Sequence, residues 1–147
     1  AGTSLPFYRV IEEKYLKESG NRCGYFSGVA VANELGLTTQ VPMICEITSN
    51  KATNDYREVM LANNKVIIRR PKVLVNNENY RILQFLDLMK DIDHYSEVKG
   101  EVLKDRLTAY MEKHIIKFEN LEKYLYYYPD KIYRNMYQAG LLKGVPE

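Results

Sequence analysis

The sequence predicts an α+β domain: a small central sheet of about three strands, flanked by helices, with a helical C-terminal third. Three observations predict it. Residues 43–48 and 65–69 are short runs rich in isoleucine and valine. From Asn77 onward, apolar residues recur at three-to-four spacing. The N-terminal part carries two helical stretches closed by Gly20 and Gly36.

Residues 5–19 place Phe7, Val10, Ile11 and Tyr15 on one helical face, with Ser4 as a cap, Pro6 in the first turn and Gly20 beyond the end. Residues 27–35 form a second short helix. Ser27 caps it, Val29, Ala32 and Leu35 line one face, and Gly36 is the left-handed terminator. Residues 43–48 form a strand with Ile44 and Ile47 apolar and Glu46 polar, followed by a polar loop over 49–54. Residues 56–61 fit a strand or a helical turn. Asn63-Asn64 then turns the chain into a strand at 65–69. Pro71 interrupts and 72–75 resumes the strand, which places it at a sheet edge or a bulge because proline donates nothing to the ladder.

Tyr80, Leu83, Leu86 and Met89 mark the next helix, with Ile82 and Phe85 widening its apolar face and Asn77 or Asn79 as its cap. Ser96 starts another, carrying Val98, Val102, Leu103, Leu107, Tyr110 and Met111. Phe118, Leu121, Leu125 and Tyr128 form a third, broken by Pro129-Asp130. Ile132, Tyr133, Met136 and Tyr137 form a fourth, ended by Gly140. The organisation expected is an α+β domain over residues 5–95 with a helical subdomain over 96–143 packed on it.

At 147 residues and 46% hydrophobic content, the chain is large enough for a real core. Its net charge of +2, with both signs interleaved, gives no whole-surface nucleic-acid footprint but leaves room for a local basic patch. Cys23 and Cys45 are read as reduced, partly buried thiols of a cytoplasmic protein. No membrane-spanning run or signal peptide is read. The opening Ala1-Gly2-Thr3 reads as a cloning remnant or a cut within a longer protein.

The residue patterns offer little chemistry. His94 and His114 stand alone, outside any metal-ligand spacing. Gly24-Tyr25-Phe26-Ser27-Gly28 is a poor nucleophile elbow: Ser27 is displaced within it and no strand is read before it. Neither cysteine has a signalled base. Glu46 with Lys51 is similar to the acid–base sets of metal-dependent nucleases, with Asp55 or Glu58 as the second carboxylate such a site needs, but a solvated strand face explains them more simply. No catalytic residue, metal or cofactor is therefore expected. Two features suit binding. Lys65, Arg69, Arg70 and Lys72, with Lys51 and Arg57 nearby, suit phosphates or protect a sheet edge by charge, and strand alternation puts Lys65 and Arg69 on one face. Tyr124, Tyr126, Tyr127, Tyr128, Tyr133 and Tyr137 suit packing, a protein contact or base stacking.

Gly24-Tyr25-Phe26-Ser27-Gly28 followed by Ala32-Asn33-Glu34-Leu35-Gly36-Leu37-Thr38-Thr39-Gln40-Val41-Pro42 resembles the signature of AbiE-type antitoxins, the AbiEi-like proteins of bacterial type IV toxin–antitoxin and abortive-infection systems. Residues 46–52, 66–71 and 79–87 agree in order, so the resemblance covers about 7–91. It implies an N-terminal winged helix that represses its own operon and a C-terminal domain that carries antitoxin function and aids cooperative DNA binding. The toxin of such a pair resembles a nucleotidyltransferase. No winged helix is read before Leu5, so the likeness is to the C-terminal domain. The partners implied are operator DNA through the basic strand, the winged helix of the same parent protein, and another copy; no membrane is implied, and no catalytic residues carry over. The alternatives are a phosphoryl-handling enzyme built on Glu46 and an interaction module built on the tyrosines, which requires exposed rings near the C-terminus. Physically, residues 36–42 read as a joint: Gly36 ends the helix, and Thr38, Thr39 and Gln40 bond nearby backbone to fix the turn.

Overall fold

A computed structural model describes residues 5–142. Helix α1 (Leu5–Ile11) runs on through a π-helical turn, Glu12–Leu16, and leads into a small hairpin of β1 (Lys17–Glu18) and β2 (Asn21–Arg22). Then come β3 (Gly24–Phe26), α2 (Val29–Glu34), β4 (Cys45–Ser49), β5 (Tyr56–Leu61) and β6 (Asn64–Arg69). The helical remainder is α3 (Tyr80–Lys90), α4 (Ile92–Tyr95), α5 (Gly100–Lys113), α6 (Phe118–Leu125) and α7 (Lys131–Gln138). The fold is α+β, as the sequence patterns require.

The main sheet has four strands in the order β3-β4-β6-β5. Strands β4 and β6 run parallel, and both outer pairs are antiparallel. Alternation sorts the side chains. Cys45, Ile47, Val66 and Ile68 point to one face and are buried against Phe7, Ile11 and Leu16 of α1 and its π turn. Glu46, Thr48, Arg69 and Tyr56 belong to the other face, where α3 covers the β3 side through Tyr25.

The second core is organised around α3. Leu83, Phe85, Leu86 and Met89 are fully buried and pack with Val31, Ala32 and Leu37 on one side and Leu107, Leu121, Ile132 and Met136 on the other. The apolar stripe read from the sequence is thus buried on both flanks. Among the described residues no helix is long and apolar enough to cross a membrane.

Several local readings are corrected. Strand β3 was not expected, yet it lies immediately before Ser27. It opens on Gly24, where a Cβ would sit 2.5 Å from the Thr48 carbonyl oxygen, so β3 packs against β4 only as glycine allows. Gly24→Ala is accordingly expected to cost about 1–3 kcal/mol, read as a lower urea midpoint at unchanged slope. Ser27 does not cap α2; Gly28 occupies that position, and Ser27 is buried with its hydroxyl accepting from Thr48. The Ser4 cap lies outside the described residues. Residues 72–75 do not resume a strand, and Pro71 follows an interior strand rather than marking an edge. The backbone of Val75 finds its partners elsewhere: it donates to Asn50 Oδ1 at 2.8 Å and accepts from Asn50 Nδ2 at 2.9 Å, so it needs no ladder. Ser96 does not start α5 but follows α4, its hydroxyl accepting from the Val98 amide. Asn79 does take the position before α3, although its side chain accepts from the Asn76 amide rather than from the helix.

Candidate functional site

A cleft of about 430 Å³ lies between the open sheet face and the α3–α4 junction. Glu46 and Thr48 reach it from β4, Tyr56 from β5, Arg69 from the end of β6, and Arg70 to Lys72 from the loop beyond. Asp87, Lys90, Asp91 and Tyr95 close the helical side. Four cations therefore meet four carboxylates: Arg69, Arg70, Lys72 and Lys90 against Glu46, Asp55, Asp87 and Asp91.

Most of these charges are already engaged. Arg69 Nε donates to Glu46 Oε2 at 2.8 Å, and its guanidinium lies 5.0 Å from the Tyr56 ring, its cross-strand partner. Burial works against the charge on Arg69, but the Glu46 hydrogen bond prevails and raises its pKa. Arg70 lies 3.5 Å from Asp55 and donates to the Thr53 carbonyl at 2.7 Å. Asp91 accepts from Lys131 at 2.9 Å, with Lys90 at 3.8 Å. Asp87 accepts from two phenols, Tyr25 at 2.5 Å and Tyr128 at 2.8 Å. Burial raises the Asp87 pKa even though both phenols hold it down, and burial pushes Tyr95 up to about 12. Lys72 is exposed and forms no ion pair with a described residue.

The structure brings Arg69, Arg70 and Lys72 together on this cleft and separates Lys65 from them. Lys65 shares the sheet face with Arg69, as alternation requires, but pairs with Glu58 at 3.1 Å on the β5–β6 hairpin. Of the set suggested for a nuclease, Glu46 and Asp55 share the cleft, and Glu58 does not line it. Glu46 is tied to Arg69, Asp55 to Arg70 and Glu58 to Lys65. Lys51 leaves the cleft altogether: its ammonium donates to the carbonyls of Lys14 and Lys17, capping the π turn. Among the described residues no group of three or more His, Cys, Asp or Glu side chains is placed to hold a metal ion. Both cysteines are free and buried, and burial pushes the Cys45 thiol up to about 12.

Residues 36–42 form a joint, but of its three polar side chains only Thr38 bonds nearby backbone, and the Thr39 hydroxyl goes to Glu97, a partner the motif did not signal. Gly36 (φ +77°) ends α2, and the Leu37 amide returns to the Ala32 carbonyl at 2.8 Å. Thr38 donates to Glu97 Oε2 at 2.5 Å while accepting from the Gln40 amide at 3.1 Å, and the Glu97 amide donates to the Leu37 carbonyl at 2.7 Å. The turn is therefore stitched to the α4–α5 link as well as to itself. The hydroxyl bond from Thr38, then the Thr39 amide, lower the Glu97 pKa.

Asp87, Lys90, Asp91 and Tyr95 were not singled out from the sequence. On α3 and α4 they read as ordinary polar positions of amphipathic helices, and only the helix–sheet packing brings them to the basic strand. No family model, curated protein or solved structure matches the chain.

Proposed function

We propose that the chain is a non-enzymatic regulatory domain, the antitoxin part of an AbiE-like toxin–antitoxin system, and that the Arg70–Lys72 rim lies along the phosphate backbone of operator DNA. One observation carries the DNA contact: Arg69, Arg70 and Lys72 share a single cleft, where Asp87 and Asp91 are held by other groups and Asp55, the partner of Arg70, is exposed. The resemblance over residues 24–42 supplies the class. A winged helix of the same parent protein reads the sequence in this scheme, and this domain adds backbone contacts.

The four basic residues differ in their share. Arg69 is engaged by Glu46 and Tyr56 and acts mainly to hold the cleft. Arg70 pairs only with an exposed aspartate, and Lys72 forms no ion pair among the described residues, although its charge acts on Asp87. A phosphate reaches these two at least cost. The double variant Arg70→Ala/Lys72→Ala is therefore expected to weaken binding to duplex DNA of any sequence and to reduce the salt slope by about 1–2. Lys65→Ala is expected to do less, because Glu58 already holds that ammonium. Anisotropy titrations of a labelled duplex at several salt concentrations read both quantities. Unchanged affinity and slope in the double variant would remove the assignment.

A second reading is favoured by the exposed rings at the C-terminal end. Tyr126 is 86% exposed, and Tyr133 and Tyr137 are also exposed and stand one turn apart on α7. Such rings suit a protein contact, with a second copy or a partner. Tyr128 does not belong with them, since it is buried on Asp87.

A further inference from the structure

A second pocket, about 280 Å³, lies between the start of α3 and the α5–α6 turn, away from the basic strand. Tyr80, Arg81, His114 and Asn120 line it, with Glu78 and Ile115 at its exposed rim. Three independent features converge there.

The first is a guanidinium without a counter-ion. Arg81 is half-buried, and no ion pair of the described residues includes it. It donates through Nη1 to Gln84 Oε1 at 3.0 Å, lies 5.2 Å from the Tyr80 ring and is hydrogen-bonded with Tyr110 and Tyr80, so these neighbours are neutral. Its Nε is buried and meets no acceptor among the described residues. Burial opposes the Arg81 charge, but hydrogen bonds with Tyr110 and Tyr80 prevail and raise its pKa, so it stands as a cation with no carboxylate beside it.

The second is His114, at the end of α5. Its Nε2 is buried with no partner among the described residues, the same condition as Arg81 Nε. Burial, then the Arg81 and Lys113 charges, lower its pKa against the opposing pull of Glu34, which leaves a neutral ring at pH 7. The Nε2–H tautomer of that ring is a donor. Asn120 adds more donors: its Oδ1 is used by the Lys117 amide at 2.8 Å, and its Nδ2 has no acceptor among the described residues.

The third is the backbone. Ile115 has φ +55°, a conformation that β-branched residues rarely adopt, and its side chain is 77% exposed. Burial therefore does not explain why isoleucine stands there. The turn returns the Ile116 amide to Met111 O at 2.8 Å and fixes His114 beside Arg81. Residues held this way collect at binding sites.

We propose that this pocket binds a small oxyanion, a phosphate group held by the Arg81 guanidinium with His114 and Asn120 as further donors. Arg81 presents fork geometry suited to such an ion. Glu78 on the exposed rim repels an extended polyanion, so a small phosphate is favoured over a nucleic-acid backbone. The site is independent of the cleft beside β6.

The test is a ¹H–¹⁵N NMR titration of the full chain with inorganic phosphate, and separately with ribose 5-phosphate, against chloride at constant ionic strength. Saturable shifts are expected at Arg81 Nε–H, the His114 ring and the Ile116 amide. Tighter binding of the ester identifies a phosphorylated metabolite, and equal binding identifies free phosphate. Arg81→Gln is expected to weaken binding about tenfold or more, with Arg81→Lys in between. Shifts that are absent, that scatter over surface lysines, or that persist in a folded Arg81→Gln protein overturn the proposal. If Arg81→Gln does not fold, the wild-type shift map and Asn120→Ala decide it by the same criteria.

Discussion

Phe85→Ala is expected to lower the unfolding free energy by about 3–5 kcal/mol. The ring is fully buried at the centre of α3 and stacks on Tyr110 with centroids 5.8 Å apart and planes 13° apart. Removing it deletes apolar contact and leaves a cavity between two helices that cannot both collapse. The neighbourhood also carries a polar network that needs the ring in place. The Tyr110 hydroxyl donates to Gln84 Oε1, and Gln84 Nε2 donates to the Phe26 carbonyl at 2.8 Å. Through this relay α3 holds α5 and β3 in register. Phe118→Ala is the comparison: its ring is 43% exposed at the start of α6, so its loss is expected to cost at most about 1 kcal/mol. Urea unfolding followed by circular dichroism reads both. A loss below about 1 kcal/mol for Phe85→Ala would mean that α3 is not the centre of the core.

The same helix shows what the sequence made legible. The stripe of Leu83, Leu86 and Met89, with Phe85 beside it, predicted a helix with a wide apolar face, and that face is wide because two bodies of structure bury it. Gly36 and Gly140 mark real helix ends, each with positive φ. Strand β3 was hidden because a three-residue strand beginning in glycine carries no alternation to read. The loop after β6 was misread for the opposite reason: Val73, Leu74 and Val75 look like a strand, but Asn50 satisfies Val75, and Leu74 is left exposed. Long-range side-chain bonds to backbone have no sequence signature.

The candidate site was legible only in part. Arg69, Arg70 and Lys72 were visible as a basic run. Their surroundings were not, since Glu46 reaches Arg69 from the neighbouring strand and Asp87 and Asp91 come to the cleft from the helical side. Nor was the fate of Lys51, because an ammonium capping a π turn looks in sequence like any surface lysine. His114 read as a lone histidine, and its neighbour Arg81 stands 33 positions earlier, beyond any local pattern.

Asp87→Ala is expected to cost about 2–5 kcal/mol, whereas Asp87→Asn is expected to cost less and to change the pH dependence of stability. The alanine variant leaves the hydroxyls of Tyr25 and Tyr128, both buried, without their acceptor. The Leu83 carbonyl, 3.4 Å from the Tyr128 hydroxyl, recovers part of that loss for one phenol only. Asparagine keeps one acceptor, and its amide can donate to the second phenol. The sign of the pH effect follows from the raised Asp87 pKa, whose largest cause is burial. Above the ordinary value of 3.8, the unfolded carboxyl has lost its proton while the folded one still holds it. Folding then takes up a proton, so stability falls as pH rises through that window and is level beyond the folded pKa. Asparagine does not titrate. The advantage of the wild type over Asp87→Asn is therefore greatest below 3.8 and shrinks as pH climbs through the folded value. Urea midpoints for both proteins from acid to neutral pH give this difference directly, and other titrating groups largely cancel in it. Parallel profiles would mean that Asp87 titrates alike in the folded and unfolded chain, which two donated phenols and a buried carboxyl do not permit.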